Sequence, residues 1–422
     1  MKVYKFGGAS VKDATGIKNL GKIVQDENSS LVVVVSAFGK TTNALEKVLN
    51  AWFAGDGHHE VLLDEVYKLH LLIINELFGN NSEVKAKIDI SFMHLKDYLM
   101  TASKGRYDFE YDQVVSHGEI WSTLIVEAFL RSTGLNAKWI DARELLITDD
   151  RFRDANIHWG ESSVRIKKAI DFSKNQIFLT QGFIGGTIAG QSTTLGREGS
   201  DYTAAVIANL LDAECVVIWK DVPGILNADP KWRTDAIRLS EISYKEAVEM
   251  TFSGAKVIHP KTIKPLHNKN IPLYVKSFIN PQERGTIVKA DAKPEKIVPI
   301  FIRKEDQVLI SILPKDFSFA MGDNLSRVFH SFIINGIKVN LVQASAVSID
   351  VCVDDDRLKV DSLIKDLAQE FKTIYNDEAE MLSIRHYTKE SINSITLDRE
   401  ILLEQRTRRI VRFVVKKQDK PV

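Results

Sequence analysis

The sequence predicts an α/β fold, with a largely parallel sheet in the first two-thirds of the chain and a smaller mixed region after it. Short apolar runs alternate with amphipathic stretches through residues 1–290, which is typical of repeated strand–helix units. Some runs, residues 31–35 above all, are continuously apolar rather than alternating. This pattern indicates strands that are buried on both faces of a sheet.

The strands and helices of the first region follow from these two periodicities. Strands are predicted at residues 3–6, 31–35, 138–140, 177–180, 216–219 and 273–275. Helices are predicted between them, where apolar residues recur with the helical period, at residues 17–25, 61–77, 113–131 and 201–211.

The chain changes character after residue 277. Turn signals at residues 280–281 and 284–285 lead into a linker rich in Lys, Glu and Pro. A compact pattern of strands and helices follows, with strands at 308–313, 338–343 and 347–353. One helix is predicted over residues 325–333, where apolar residues recur with the helical period, and a second at residues 357–371. The pattern partly recurs, with strands predicted near residues 381–384, 392–397 and 410–415.

Composition limits the classes of protein to which the chain can belong. Its 422 residues suggest two or three domains. Lys plus Arg number 56 and Asp plus Glu number 56, and this balance argues against a protein that coats nucleic acid or an anionic membrane. Cys215 and Cys352 lie in apolar runs, which favours buried reduced thiols over a disulfide. Since no signal peptide or membrane-spanning run is found, we expect a soluble cytoplasmic protein.

A glycine pair next to a lysine marks the first candidate site. The segment KFGG, residues 5–8, ends the first predicted strand, so backbone N–H groups and an ammonium group come together where phosphate oxygens can bind. For the glycine pair alone, a plain tight turn is the alternative. The P-loop spacing, GxxxxGK followed by Ser or Thr, does not occur in the sequence.

Two further segments combine small residues with charge. The segment SHGE, residues 116–119, stands where a helix pattern starts, and a first-turn carboxylate that complements the helix dipole is the alternative to a functional role for Glu119. A loop rich in glycine and hydroxyl groups, residues 193–201, surrounds Arg197 and leads into a helix. Such a backbone is shaped to approach an anion, although a simple helix cap at its end is the alternative.

Two later segments are also unusual. Residues 219–230 follow a buried strand and are dense in turn residues, and a lysine group comes at residues 254–260. For Lys256 the alternative is a solvated surface charge. For His259, which precedes Pro260, a structural role is favoured over a catalytic one.

Together these segments resemble the aspartokinase family. The KFGG opening, the SxGE tetrapeptide, the TTLGRxGSD loop, the WxDVPGI segment and the GAKVIHP segment occur in that family in this order, and here they span the first 260 residues. The region from about residue 296 is similar to the family's paired ACT-type regulatory modules. The resemblance implies a three-layer α/β/α amino-acid kinase sandwich at residues 1–290, a ferredoxin-like (βαββαβ) ACT module at residues 296–375 and a second, shortened one at residues 376–422.

The resemblance also implies a reaction. The γ-phosphoryl group of ATP is transferred to the β-carboxylate of L-aspartate, the first step of lysine, threonine and methionine biosynthesis, with Mg2+ held mainly by the ATP phosphates. The carboxylate is already ionised at neutral pH, so no general base is required, and transfer depends on positioning and charge stabilisation. The expected partners are aspartate, ATP, an amino-acid effector at the ACT modules and a second copy of the chain.

The positions that match the family's motifs carry the roles that the resemblance implies. The residues expected to take part in catalysis are Lys5, Asp201 and Lys256. The residues expected to hold aspartate are Thr42, Glu119, Phe183, Arg197 and Ser200. The residues expected to contact ATP are Lys5, Gly7, Gly8, Ser36, Lys220, Asp221, Lys231 and Lys256.

Five positions depart from the family's pattern. Ala9 stands where the family usually has Thr, and Leu226 and Lys231 replace the usual Tyr and Arg near the nucleotide. Asn340 and Ala346 stand where lysine-inhibited relatives carry acidic residues. The ammonium group of an inhibitor would lose both counter-charges here, so we expect weak or absent feedback by lysine.

Two other interpretations stay open. One is a kinase that acts on glutamate or acetylglutamate, which the SxGE and LGRxGSD segments and the ACT-like modules disfavour. The other is a catalytically inactive amino-acid sensor that acts through the ACT modules. The joint retention of five charged residues argues against the sensor, namely Lys5, Glu119, Arg197, Asp201 and Lys256.

Overall fold

The structure, a computed structural model, describes residues 1–55, 57–79, 82–102, 104–294, 296–316 and 318–417. The chain divides into two units. The first unit consists of Met1–Ile225, Arg238–Val248 and Val257–Pro294. The second consists of Leu226–Ile237, Glu249–Lys256 and Glu295–Val422.

Strands and helices alternate through residues 1–294, most of which form the first unit, as the sequence predicts. The strands are β1 (Lys2–Phe6), β2 (Leu31–Val35), β3 (Ala137–Trp139), β4 (Ile147–Thr148), β5 (Ile177–Gln181), β6 (Ile184–Thr187), β7 (Ser192–Thr194), β8 (Cys215–Lys220), β9 (Glu241–Ser243), β10 (Leu273–Ser277) and β11 (Thr286–Lys289). The helices are α1 (Ala14–Gln25), α2 (Thr41–Ala54), α3 (His58–Phe78), α4 (Glu83–Thr101), α5 (Tyr107–Ser132), α6 (Ala142–Leu145), α7 (Trp159–Ala169), α8 (Gly199–Leu210), α9 (Tyr244–Phe252) and α10 (Pro260–Asn268).

An eight-stranded sheet forms the centre of this unit, in the order β3-β5-β2-β1-β8-β10-β11-β9. The pairs from β3 to β10 are parallel, while β10 and β11 pair antiparallel. All five residues of β2 are buried, which is what a continuous apolar run predicts for a strand covered on both faces.

Helices cover both faces of the sheet. On one face Leu31, Val33 and Val35 join a core that includes Ile17 of α1 and Trp121 of α5. Because side chains alternate along a strand, Val32 and Val34 point to the other face. There α8 packs against β1, β2 and β8, and α10 packs against α8. The first unit is therefore a three-layer α/β/α sandwich.

The second unit is built on a six-stranded sheet in the order β13-β14-β12-β15-β17-β16. Its strands are β12 (Ile300–Pro314), β13 (Val339–Ala344), β14 (Ile349–Asp354), β15 (Phe371–Arg385), β16 (Ile401–Arg406) and β17 (Ile410–Lys416). Its helices are α11 (Asp323–Ile334), α12 (Arg357–Leu367) and α13 (Lys389–Thr396). All of its strand pairs are antiparallel.

One prediction in this region is wrong. Residues 392–397, predicted as a strand, lie almost entirely in helix α13, and the strand that follows is β16. The segment is rich in Ile, Ser and Thr, whose local preference is not helical. The helix begins because Thr388 and Ser391 form a capping box that satisfies two free N–H groups. The second ACT module is predicted to extend to residue 422, and its last five residues, 418–422, lie outside the described residues.

Other local predictions fit the structure. Cys215 and Cys352 are buried free thiols. His259 is the N-cap of α10, where its Nδ1 accepts a hydrogen bond from the N–H of Lys261 at 3.2 Å. Within the described part of the chain, no helix has the length and apolar composition that a membrane span requires.

Candidate active site

The carboxyl ends of four parallel strands meet along one edge of the eight-stranded sheet. The register pairs Phe6 with Val35 and with Trp219, and Val35 with Gln181, so β1, β2, β5 and β8 end at the same level. Ligands of open α/β sheets bind at this edge. A pocket of about 550 Å³ is lined by Lys5, Gly8, Ser36, Ala37, Gly39, Thr42, Tyr111, Glu119, Arg153, Phe183, Thr194, Gly196, Arg197, Glu198, Gly199, Ser200, Asp201 and Lys220.

The structure brings most of the predicted site residues together in this pocket. Those that line it are Lys5, Gly8, Ser36, Thr42, Glu119, Phe183, Arg197, Ser200, Asp201 and Lys220. Among the described residues, Gly7 and Asp221 are outside the lining. Lys231 and Lys256 are exposed and belong to the second unit. The role of each residue stays a prediction.

A buried ion pair stands where β1 ends. Nζ of Lys5 lies 2.7 Å from Oδ1 of Asp201, in the first turn of α8, and the two side chains are 11% and 5% exposed. Burial disfavours the Asp201 carboxylate, but the charges of Lys5 and Lys220 outweigh it and hold the pKa of Asp201 below its ordinary value. Lys220 is fixed by donating to the carbonyl oxygen of Val257 at 2.9 Å. Two positioned lysines share one carboxylate here, an arrangement that suits an incoming anion.

The backbone at Gly8 packs too closely to admit a side chain. A Cβ on Gly8 would lie 2.6 Å from the carbonyl oxygen of Ala37 and 2.8 Å from that of Gly39. Ser36 Oγ donates to Ser200 Oγ at 3.0 Å, which ties the end of β2 to the start of α8. The start of α8 gives this side of the pocket a positive potential, because the positive end of the helix dipole lies there.

Glu119 lies in the middle of α5, so the first-turn alternative is wrong. The helix begins at Tyr107, roughly three turns earlier. Oε2 of Glu119 accepts a hydrogen bond from the N–H of Ala37 at 2.7 Å. Burial raises the pKa of Glu119 to about 8, although Ala37, Lys5 and Thr42 act in the opposite direction. A cationic group that entered the pocket would therefore gain a buried carboxylate partner.

Three residues of the pocket wall have backbone angles that favour glycine. The φ angle is 72° at Phe183, 54° at Glu198 and 71° at Arg153, and each costs about 1 kcal/mol. Phe183 is held because its N–H donates to Thr203 Oγ1 at 3.1 Å. Glu198 is held because its Oε2 accepts from the N–H of His259 at 2.9 Å. Strain of this kind clusters at functional sites.

Sequence reasoning missed part of the lining. Ala37, Gly39, Tyr111 and Arg153 line the pocket but belong to none of the segments that stood out. Tyr111 precedes Glu119 by eight residues on α5, close to two turns, so helical periodicity places both on one face and could have found it. No comparable pattern marks Arg153.

Comparisons with known proteins show the family. Residues 1–277 match the amino acid kinase family. Over 374 residues the chain is 32% identical to the lysine-sensitive aspartokinase 3 of Escherichia coli, which covers 87% of this chain and 82% of that protein. This chain belongs to the aspartokinase family.

The solved structures agree with this family. Escherichia coli aspartokinase III, in complex with aspartate and ADP, matches with a TM-score of 0.83 and 28% identity, over 99% of this chain and 96% of that one. This match confirms the predicted amino-acid kinase sandwich with a following ACT-type region. A bifunctional aspartokinase/homoserine dehydrogenase 2 of Arabidopsis thaliana is 32% identical over 363 residues, which is 84% of this chain but 37% of that relative.

The buried ion pair makes a stability prediction. We expect Lys5→Met to lower the free energy of unfolding by about 3 kcal/mol, because Asp201 would keep an uncompensated buried charge. Denaturant unfolding measures the loss. The control is Lys2→Met on the same strand, whose partner is Glu27 and whose side chain is 29% exposed; it should cost less than about 1 kcal/mol. Equal losses of unfolding free energy in the two variants would contradict the prediction that the buried pair contributes more than the more exposed one.

Glu119 predicts a pH-dependent stability. Its pKa in the folded chain is about 8, against an ordinary value of 4.5, so between those values the folded state keeps a proton that the unfolded state loses. The contribution of Glu119 to stability therefore falls as pH rises through this window. We expect Glu119→Gln to melt at a higher temperature than wild type at pH 8, with the difference shrinking toward pH 5.

A carboxylate with the opposite shift provides the control for this experiment. Burial of Glu27 is outweighed by hydrogen bonds from Tyr4, Ser29 and Lys2, which lower the pKa of Glu27 to about 2. Its contribution is present above the ordinary pKa and is lost as pH falls toward 2. Glu27→Gln should therefore melt below wild type at pH 8. Thermal unfolding from pH 5 to pH 8.5 tests both signs, and a Glu119→Gln variant less stable than wild type at pH 8 would refute the first.

Proposed function

We propose that the chain catalyses the ATP-dependent phosphorylation of the β-carboxylate of L-aspartate, giving 4-phospho-L-aspartate and ADP. One observation carries the proposal. A buried carboxylate, Glu119, and an exposed guanidinium, Arg197, line the same pocket as the Lys5–Asp201 pair. An amino acid with a carboxylate side chain fits the first two groups, and a polyphosphate fits the lysine.

The acceptor end of the pocket is complementary to an amino acid. We assign Glu119 to the α-ammonium group, because the buried Glu119 carboxylate needs a positively charged partner and the ammonium group provides one. Arg197 takes a carboxylate, to which its planar fork of donors is suited. Thr42 and Ser200 contribute hydroxyl groups, and Phe183 forms a wall.

The transfer step requires no proton movement. A β-carboxylate oxygen attacks the γ-phosphorus, the bond to the β–γ bridging oxygen breaks, and ADP leaves with that electron pair. The carboxylate is ionised at neutral pH, so a general base is unnecessary. The obstacle is repulsion between anions, which Lys5, Lys220 and the N–H groups of the Gly7-Gly8 turn offset. Because Asp201 holds Lys5 in place, the positive charge of Lys5 is positioned before the reaction begins.

We assign the nucleotide to Ser36, Lys220, Asp221, Lys231 and Lys256, in addition to the glycine turn. Within the described residues, no group of three or more His, Cys, Asp or Glu side chains is placed to hold a metal ion. Of the two buried carboxylates in the pocket, Asp201 is paired with Lys5, and Glu119 accepts a hydrogen bond from the N–H of Ala37. The ATP phosphates are therefore expected to hold Mg2+, which shields their charge when bound.

We place this reaction at the first step of lysine, threonine and methionine biosynthesis. The product is an acyl phosphate, which the next enzyme must reduce or transfer before water hydrolyses it. We further propose that the chain works as a homodimer and that its second unit binds an amino-acid effector.

A hydroxylamine-trapping assay tests the substrate. We expect aspartyl hydroxamate from L-aspartate, ATP and Mg2+, and about 100-fold less product from glutamate or N-acetylglutamate, because the charged groups of the pocket are matched to one acceptor length. Arg197→Met, at an exposed position, should fold normally and lose most of the aspartate activity. If glutamate is the preferred acceptor, the proposed substrate is wrong. If no acceptor gives an acyl phosphate, the chain is an inactive sensor rather than a kinase.

The second unit supports weak feedback by lysine. Asn340 is held in a hydrogen-bond network, where its Oδ1 accepts from Nζ of Lys304 at 2.8 Å and its Nδ2 donates to Oε1 of Gln307 at 2.8 Å and to Oδ1 of Asp354 at 2.9 Å. Lys304 also pairs with Asp354 at 2.6 Å. The carboxylate of this network already has an ammonium partner within the sheet. A lysine effector would have to displace this ammonium group before its own could pair with the carboxylate.

Inhibition assays test this regulation. We expect the purified chain to keep most of its activity in 1 mM lysine, and its melting temperature to be unchanged by lysine, since neither Asn340 nor Ala346 offers a counter-charge. The lysine-sensitive Escherichia coli relative is the positive control in both measurements. Strong inhibition at sub-millimolar lysine would overturn the proposal, and threonine and methionine, alone and paired with lysine, complete the panel.

A further inference from the structure

Arg153 is a pocket residue to which the proposed function gives no role. It lies in the loop between β4 and α7 and lines the pocket. A Cβ on Gly196 would lie 3.3 Å from the carbonyl oxygen of Arg153, so this loop meets the segment that carries Arg197. The φ angle of Arg153 is 71°, in the region that favours glycine. Since the backbone alone would select glycine, the reason for an arginine lies in its side chain.

The loop is fixed by the helix that also carries Glu119. The N–H of Arg153 donates to Oδ2 of Asp112 at 3.0 Å. The same carboxylate accepts from the N–H of Thr194 at 2.8 Å and from its hydroxyl group at 2.7 Å. Asp112 is fully buried on α5. These contacts involve only the backbone of Arg153, so another residue at this position would keep them.

The guanidinium of Arg153 rests on an aromatic platform at the pocket wall. It lies 4.4 Å from the ring centre of Tyr111 and 5.5 Å from that of Tyr107. Its ion pairs with Glu46 and Asp108 are 3.5 Å and 3.4 Å long, longer than the 2.7–2.9 Å of strong charge-assisted hydrogen bonds. The side chain is 42% exposed. The cation is therefore positioned but only loosely neutralised.

The charges of aspartate leave one group without a partner at the acceptor end. Glu119 is assigned to the ammonium group, Arg197 to one carboxylate, and Lys5 is committed to Asp201. We propose that Arg153 is a specificity-determining residue, which supplies positive charge for the remaining carboxylate and favours amino acids with two carboxylates. This role rests on the proposed function, because it takes aspartate as the acceptor.

Arg153→Gly tests the role without disturbing the backbone. Glycine adopts the observed φ angle freely, and this relief offsets the loss of the side-chain contacts, so the variant should melt close to wild type. We expect its KM for aspartate to rise about fivefold and its kcat to change by less than about twofold, because the proposed interaction is with a charge of the acceptor rather than with the transferring phosphoryl group. Salt should raise KM in wild type more than in the variant, since it screens the charge that the variant lacks.

Two further variants sharpen the test. Arg153→Lys keeps the charge and should recover most of the affinity for aspartate. Arg151→Gly, in the same loop, removes a side chain that is 68% exposed and lies outside the pocket lining, so its KM should equal that of wild type. Stabilisation by aspartate alone, measured by thermal shift, gives a binding readout that is independent of turnover.

The outcomes separate the two proposals. If wild type forms aspartyl phosphate and Arg153→Gly has the KM and salt dependence of wild type, the role of Arg153 is overturned and the proposed function stands. A fall in kcat at unchanged KM would also overturn it, since that result indicates disturbed positioning rather than acceptor affinity. If wild type makes no aspartyl phosphate, the proposed function fails and the role of Arg153 fails with it.

Discussion

The common register of β1, β2, β5 and β8 is the constraint on which the candidate site depends. Parallel strands paired in this way end at one level, so the residues that follow them are brought together although they are far apart in the chain. A shift of one residue in β1 would turn Lys5 to the opposite face of the sheet. That shift is opposed because Val3 and Phe6 would leave their fully buried positions. Gly8 shows how closely the strand ends then approach, because a single Cβ there would meet two carbonyl oxygens.

Within this frame, the two buried carboxylates are driven in opposite directions. Burial acts against ionisation of both, but Asp201 faces Lys5 and Lys220 and keeps a pKa below its ordinary value, whereas the pKa of Glu119 rises to about 8. When the pKa values of two neighbouring carboxyl groups are shifted in opposite directions, the two groups are suited to different chemical roles. Asp201 pairs with Lys5 and holds it in position, and we propose that Glu119 becomes fully ionised when the ammonium group of a ligand pairs with it. The positive φ angles of Phe183 and Glu198 also lower the stability of the folded chain. Strain of this kind is typical of functional sites.

Patterns with a strong physical cause were readable from the sequence, and those set by tertiary contacts were not. The continuous apolar run of β2 fixed a strand buried on both faces, and the glycine and lysine of the first turn indicated an anion site. Glu119 was misplaced within its helix because the polar, aromatic stretch that precedes it carries no clear apolar period. The local preference of residues 392–397 predicts a strand, but the capping box at Thr388 and Ser391 starts a helix there. Arg153 was missed because its strained backbone depends on Asp112, a residue distant in the sequence.

The second unit shows why its two halves are hard to separate by sequence. Strands β12 and β15 each have 15 residues and pair with each other along the sheet, with register shifts between Lys304 and Leu309. The last part of β15 pairs with β17 and with the first part of β12, while the last part of β12 pairs with β14 and with the first part of β15. A segment that begins near residue 376 therefore lacks the strand that completes it, because that strand lies upstream in β12. Lys304 and Gln307, which hold Asn340, stand at this register shift, so the hydrogen-bond network on which we base the proposal of weak lysine feedback also joins the two halves of the sheet.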